Sequence, residues 1–149
     1  MGTPFKEVNA AFLARIEQNE WDLLKDIAYL ERDWLEFMKM AIARFMFPRV
    51  SLELDNEQEC FVEELSQAEI QFLAVLMKNE WLKRCLASWR LFQQQFHTKD
   101  FEFLSQANHM AKLQSMVELS NAEVLNMTNV YSRMREHKPF NWSQLAGGR

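Results

Sequence analysis

The chain has almost no glycine away from its ends. Its three glycines stand at positions 2, 147 and 148, so no residue between Thr3 and Ala146 is a glycine. Tight β-hairpins and βα turns usually require a residue with positive φ, which glycine adopts most easily. Glycine-rich phosphate-binding loops need the same residue. The scarcity of glycine therefore argues against a sheet-rich fold and against both P-loop and dinucleotide-binding sites.

Cysteine and long apolar runs are also scarce. Cys60 and Cys85 are the only cysteines, and the N-terminus lacks the apolar segment of a signal peptide. We therefore expect both thiols to be reduced and to pack as small apolar side chains. No apolar run approaches the roughly 20 residues of a membrane-spanning helix. We expect a protein that is made in the cytoplasm and has no membrane partner.

What the chain does contain is enough apolar surface for one folded core. Of its 149 residues 48% are apolar and 13% aromatic, with twelve phenylalanines and five tryptophans. This composition excludes a disordered chain, and the length is typical of one domain. The sequence predicts an all-α domain over residues 1–138, a bundle of about four helices with two long antiparallel ones. An extended C-terminal arm is predicted over residues 139–149.

Apolar residues at helical spacing predict the first two helices. The first runs over about residues 5–16, and the second over about residues 20–45. The second helix ends before Pro48, because a residue that precedes proline avoids the α region. The connection over residues 49–65 follows. Its segment Val50–Leu54 alternates apolar and polar side chains and could form a short strand.

A capping box marks the start of the third helix. Ser66 and Glu69 have the spacing at which each side chain bonds the backbone N–H of the other, and an apolar-periodic run of about 27 residues follows. The connection after this helix contains Phe101–Phe103, which could pair as a strand with Val50–Leu54. Across the bundle, the residues predicted to be largely buried are Trp34, Leu73, Met77, Trp81, Val117 and Val124.

The fourth helix is predicted over about residues 106–135, with Ser105 as its cap. It carries a seam of residues spaced alternately by three and four, which is the pattern of a heptad repeat. Packing inside one bundle and an intermolecular coiled coil both account for this pattern. The seam consists of Met110, Leu113, Val117, Ser120, Val124, Met127, Tyr131 and Met134.

The charges of the chain are unevenly distributed. Residues 50–77 carry seven acidic side chains and no basic one, whereas residues 78–149 carry ten basic and six acidic ones. The acidic stretch is either a solvated connection or a surface complementary to another copy of the chain. The carboxylates that we single out as candidates for protein interaction are Glu53, Asp55, Glu57 and Glu59.

The C-terminal arm combines flexible and bulky residues. It ends in Ala-Gly-Gly-Arg, yet it carries Phe140, Trp142 and Leu145. Burial of one such side chain contributes roughly 1.5–3 kcal/mol. We therefore predict that these three residues bind another subunit or protein, or fold back over their own bundle.

Residue patterns typical of catalysis or metal binding are missing. His97, His109 and His137 are isolated, without a second histidine at helical metal-ligand spacing. The alternating carboxylates of Asp55–Glu59 lack the glycine and the twelfth-position glutamate of a calcium loop. No Glu-x-x-His pair of the kind that holds di-iron centres occurs. The sequence predicts a protein that is not an enzyme and that needs no cofactor or metal.

Several short segments between residues 29 and 131 occur in an informative order. They are Tyr29-Leu30-Glu31-Arg32-Asp33-Trp34; Phe45-x-x-Pro48; Leu65-x-x-x-Glu69-Ile70; Leu73-Ala74-x-Leu76-Met77-x-x-x-Trp81-Leu82; Asp100-Phe101-x-x-x-Ser105-Gln106-Ala107-Asn108-His109; and Tyr131. In this order they resemble head–tail connector proteins, the adaptors in the neck of tailed bacteriophages. The matching residues are core and capping positions.

The resemblance implies a structural subunit of the virion neck. Such subunits form a ring of identical copies between the portal and the tail-side neck proteins, and DNA passes through an acidic channel without specific binding. The alternative from a different class is a soluble helical interaction or regulatory module that acts as a monomer or dimer. In that case the seam of the fourth helix would be the dimer contact.

Overall fold

A computed structural model describes residues 2–16, 27–95 and 103–136 of the chain. These residues form four helices that pack together and one very short β-hairpin, which confirms the predicted helical fold class. The predicted C-terminal arm lies outside the described residues. The elements are α1 (Phe5–Leu13), α2 (Ile27–Arg44), β1 (Leu54–Asp55), β2 (Cys60–Phe61), α3 (Gln67–Gln95) and α4 (Phe103–Glu136).

Helix α3 is the centre of the bundle, because α1, α2 and α4 all pack against it. Its first turns are buried on nearly every side, from Glu69 to Met77, with only Gln71 partly exposed. A helix that is apolar all round is buried all round. The run Ile70–Met77, in which Gln71 is the single polar residue, is the sequence signal for this central position.

Both long neighbours of α3 run antiparallel to it. Near the start of α3, Tyr131 of α4 bonds to Glu69, and further along α3 Asn79 bonds to Ser120. For α2, Arg44 near its end bonds to Asn79, and Asp33 nearer its start lies 3.4 Å from Arg84, which is further along α3. This arrangement confirms the two long antiparallel helices, and at 1.5 Å per residue α4 is about 51 Å long.

The first two helices end at tightened turns. Helix α1 stops at Leu13 rather than near Ile16, because the N–H groups of Arg15 and Ile16 bond three residues back instead of four. Helix α2 ends at Arg44, and Phe47 then takes a left-handed conformation with φ of 58°. Residues 17–26, which include the predicted start of α2, lie outside the described residues.

The predicted capping box at the start of α3 is confirmed. The N–H of Ser66 donates to Oε2 of Glu69 at 2.8 Å, and the N–H of Glu69 donates to Oγ of Ser66 at 3.3 Å. The predicted cap of α4 is wrong. That helix begins at Phe103, and Ser105 lies inside it, because neither Phe103 nor Leu104 is a residue that breaks a helix.

The strand near Val50–Leu54 is shorter and is paired differently than predicted. Only Leu54 and Asp55 form β1, which pairs antiparallel with β2, Cys60–Phe61. The N-terminus adds to this hairpin, because the N–H of Phe61 donates to the carbonyl of Thr3 at 2.8 Å. Of the segment predicted to pair there, Phe103 is helical and the two residues before it lie outside the described residues.

The residues predicted to be buried are buried at the centre of the bundle, but those at its edges are more exposed than predicted. Leu73 and Met77 are fully buried, but Trp34, Trp81 and Val124 are only partly buried and pack against the core from outside. Val117 is also partly exposed. The cause is the length of the long helices. Beyond Leu82 the residues of α3 are partly or fully exposed as far as residue 88.

Candidate functional site

A buried polar network joins α4 to the start of α3. The hydroxyl of Tyr131 donates to Oε1 of Glu69 at 2.9 Å, while Oε2 of Glu69 accepts from the hydroxyl of Ser66 at 2.7 Å. The backbone N–H of Arg49 donates to the Tyr131 hydroxyl at 3.1 Å, and the Arg49 guanidinium lies 5.1 Å above its ring. The network holds the loop after α2 against α4.

The network sets the ionisation of its two titratable members. Burial by itself raises the pKa of Glu69. Hydrogen bonds from Ser66, from Tyr131 and from the backbone of Arg49 outweigh this effect and hold the pKa below its ordinary value. Burial and the nearby Glu69 carboxylate raise the pKa of Tyr131. At neutral pH the arrangement is therefore a carboxylate that accepts from a neutral phenol, which suits a structural role.

Above this network the loop after α2 exposes two large apolar side chains. Met46 is 56% exposed and Phe47 is 63% exposed, although Phe45 beside them is buried against Tyr131. The left-handed φ of Phe47 costs an L-residue about 1–2 kcal/mol. Glycine or asparagine would fill the position at lower cost. The chain therefore maintains an exposed phenylalanine in an unfavourable backbone conformation.

The last turns of α4, which carry Tyr131, also expose apolar side chains. Val130 and Met134 flank Tyr131 on the helix and are 40% and 52% exposed. They lie four residues apart, so they are neighbours on one face of α4. We call this surface the apolar corner, and it consists of Met46, Phe47, Arg49, Val130, Arg133 and Met134.

The second candidate surface is the hairpin. Oδ1 of Asp55 accepts from the N–H groups of Glu57 at 3.0 Å and Gln58 at 3.1 Å, which fixes the turn. Glu59 follows with a φ of 52° and is the other non-glycine residue with positive φ among those described. Its backbone carbonyl accepts from Phe5 at 2.9 Å, so the hairpin is fastened to α1.

The side chains of the hairpin form an acidic surface. Glu53, Glu57 and Glu59 are exposed as predicted, and Asp55 is partly exposed and forms the turn. Glu63 and Glu64 are exposed as well. Within the described residues none of these carboxylates forms an ion pair. We call residues 53–64 the acidic hairpin. The seventh acidic residue of the stretch, Glu69, is instead part of the buried network.

Three basic residues of the second half of the chain form ion pairs within the bundle. Lys78 lies 3.9 Å from Glu123, Lys83 lies 3.3 Å from Glu80, and Arg84 lies 3.4 Å from Asp33. Four basic residues with described side chains are exposed and form no ion pair within the described chain, namely Lys6, Arg49, Lys112 and Arg133. Two of these four belong to the apolar corner.

The polar member of the predicted seam lies in a second buried network. The side-chain amide of Asn79, which is fully buried, donates to Oγ of Ser120 at 3.1 Å and to Oδ1 of Asn121 at 2.9 Å. Its carbonyl oxygen accepts from Arg44 at 2.7 Å, and Arg44 also pairs with Glu80. The seam is therefore used inside the chain around Ser120. Asn79 was not predicted, because it stands between Lys78 and Glu80 and no local pattern distinguishes it from a solvated residue.

The remaining predicted site residues, Phe140, Trp142 and Leu145, lie outside the described residues. Over residues 2–16, 27–95 and 103–136 no group of three or more histidine, cysteine or acidic side chains is arranged to hold a metal ion. In the same ranges no helix has the length and apolarity of a membrane span. Cys60 and Cys85 are both partly buried and form no disulfide.

Comparisons of the chain with known protein families, with curated proteins and with solved structures found no match.

Proposed function

We propose that this chain is a non-enzymatic structural protein, a subunit of the ring that joins head to tail in the neck of a tailed bacteriophage. Its partners are then other copies of itself, the portal and tail-side neck proteins. DNA passes through the ring without specific binding. The sequence resemblance to head–tail connector proteins suggests this assignment, and the surface of the bundle supports it.

The observation that carries the proposal is a pair of unlike surfaces that do not pair with each other over residues 2–16, 27–95 and 103–136. The apolar corner exposes large apolar side chains beside two arginines, and the acidic hairpin exposes carboxylates without ion pairs. A ring closes through contacts between two different surfaces on every neighbour, whereas a two-fold dimer uses one surface twice. A chain with two different unpartnered surfaces fits the first arrangement.

Several of the residues that carry the resemblance lie in the core that supports these surfaces. Phe45, Leu65, Leu73, Met77 and Tyr131 are all buried. They therefore act on the shape of the bundle and on the position of its surfaces, as expected of residues shared by structural proteins of divergent sequence.

The mass of the purified protein in solution tests the proposal. We expect assemblies of roughly a dozen copies by light scattering, and rings with a central opening in negative-stain electron micrographs. We also expect a shift toward monomers as salt rises, because exposed charges are screened beyond about 8 Å at physiological ionic strength. A protein that stays monomeric at every concentration would contradict the proposal.

One observation favours the alternative of a helical interaction module that acts as a monomer or dimer. Leu119 and Leu125 are 69% and 64% exposed on α4, outside the apolar corner. Six residues separate them, so they lie about 120° apart around α4, and a second copy could cover either leucine by pairing that side of α4 about a two-fold axis. Small dimers that Leu119→Ser with Leu125→Ser converts to monomers would support this alternative over the ring.

A further inference from the structure

We infer that the acidic hairpin of one copy binds the apolar corner of the next copy. This contact rests on the proposed function, because it is the heterologous interface that a ring of identical subunits requires. It assigns the partner of each surface, which the ring proposal alone leaves open.

The two surfaces are complementary in charge and in apolarity. Arg49 follows Phe47 by two residues and Arg133 follows Val130 by three on α4, and both arginines are exposed. The hairpin carries exposed carboxylates and also Val62, which is 54% exposed. An interface with an apolar centre and a rim of opposite charges combines burial with correct orientation of the partners.

The two surfaces do not satisfy each other within one copy. In the part of the chain that the structure describes, neither Arg49 nor Arg133 lies within 4.0 Å of a carboxylate oxygen, and the hairpin carboxylates contact no basic group. Charges of opposite sign that are left apart in the monomer are free to meet across a contact between copies.

The backbone supports the same pairing. Phe47 and Glu59 are the two non-glycine residues with positive φ in the described chain, and one lies in each surface. Both side chains are exposed, so neither conformation is stabilised by burial of its own side chain. Glycine or asparagine is favoured at such positions. An exposed phenylalanine and an exposed glutamate there are explained if each side chain contacts a neighbouring copy.

Two double variants test the contact without straining the fold. The corner variant carries Phe47→Asn and Arg133→Glu, and the hairpin variant carries Glu57→Lys and Glu59→Asn. Asparagine tolerates positive φ better than phenylalanine or glutamate, so circular dichroism should show wild-type helicity and a melting temperature within a few degrees of wild type. Sedimentation should show each variant alone as a monomer, with self-association weakened at least about tenfold.

Mixing the two variants gives the decisive measurement. Each retains the surface that the other has lost, so an equimolar mixture should form one-to-one heterodimers and nothing larger. The matched controls are Lys112→Glu and Glu118→Lys, which make the same charge reversals at exposed positions of α4 outside both surfaces. Both controls should assemble as the wild type does.

The outcomes separate this contact from the proposed ring. If the wild type forms rings and either double variant still forms them, the contact is wrong and the ring stands. In that case a hairpin variant that retains DNA tightly would mean that the hairpin lines the channel. Two folded variants that stay monomeric on mixing would also overturn the contact.

The ring is wrong and the contact stands if the wild type forms nothing larger than dimers, if each double variant alone is a monomer, and if mixing the two variants restores dimers. A wild type that never self-associates overturns both.

Discussion

The hydroxyl group of Tyr131 donates a 2.9 Å hydrogen bond to Oε1 of Glu69 and thereby fastens α4 to the first turn of α3. The ring of Tyr131 lies 5.1 Å from that of Phe45 and 5.8 Å from that of Phe72, so it also closes the aromatic part of the core. One residue therefore joins the capping box of α3 to the loop that carries the apolar corner. The stability of the bundle and the geometry of that surface are coupled through it.

Removal of the Tyr131 hydroxyl should destabilise the fold. In Tyr131→Phe the aromatic packing remains, but Oε1 of Glu69 and the N–H of Arg49 each lose a partner. Loss of one partner of a buried polar group costs about 1–3 kcal/mol. Urea unfolding should show this decrease in the free energy of unfolding. The neighbouring exposed variant Ser132→Ala is the control and should stay within about 0.5 kcal/mol of wild type.

The stability of the protein should fall in acid, partly through Glu69. The folded protein holds the pKa of Glu69 below its ordinary value. As the pH falls, the Glu69 carboxylate is therefore protonated in the unfolded chain before it is protonated in the folded protein. The stabilisation is thus complete above the unfolded pKa of about 4.3 and is lost as the pH falls through the lower folded pKa. Unfolding free energies measured from pH 6 to pH 3 should fall less steeply in Glu69→Gln than in wild type.

The variant Tyr131→Phe provides an internal check on this pH dependence. It removes one of the hydrogen bonds that lower the pKa of Glu69, so its slope should lie between those of wild type and Glu69→Gln. If the free energy of unfolding falls with equal slope in all three proteins, Glu69 does not contribute to the loss of stability in acid.

Truncation of core residues should distinguish the centre of the bundle from its edge. Phe72 is 1% exposed and its ring lies 4.7 Å from that of Phe45, so Phe72→Ala should cost about 3–5 kcal/mol through lost transfer energy and a cavity. Trp81 is only partly buried, so we expect Trp81→Ala to cost less, about 1–3 kcal/mol. Chemical denaturation of both variants measures the difference. If Trp81→Ala lowers the free energy of unfolding more than Phe72→Ala does, the helices pack around α3 in another arrangement than the one described.

Deletion of residues 139–149 tests the predicted arm. If Phe140, Trp142 and Leu145 bind another subunit, the truncated protein should lose assembly while its melting temperature barely changes. Interfaces concentrate their energy in a few buried aromatic residues, so Trp142→Ala alone should reproduce much of the loss. Deletion of residues 146–149 is the matched control and should leave assembly intact. A monomeric protein whose melting temperature falls by many degrees on deletion would show that the arm folds over its own bundle.

The sequence by itself determined the class of the fold and several of its boundaries. The absence of internal glycine and the 3.6-residue periodicity predicted helices, and Pro48 and the Ser66–Glu69 box marked where two of them end and begin. These features act locally, through the backbone and the nearest turn. They can therefore be recognised without knowing which distant residues pack against them. The acidic character of the hairpin was also visible, because charge counts need no structure.

The tertiary structure alone decided how these elements are used. It buried Glu69, the one carboxylate of the acidic stretch that belongs to the core, because Tyr131 reaches it from 62 residues away in sequence. It used the seam of α4 inside the chain through Asn79 and Ser120. It also placed Phe47 on the surface in a left-handed conformation. Such outcomes depend on contacts between distant residues, whose geometry is fixed only when the helices pack and which no local pattern contains.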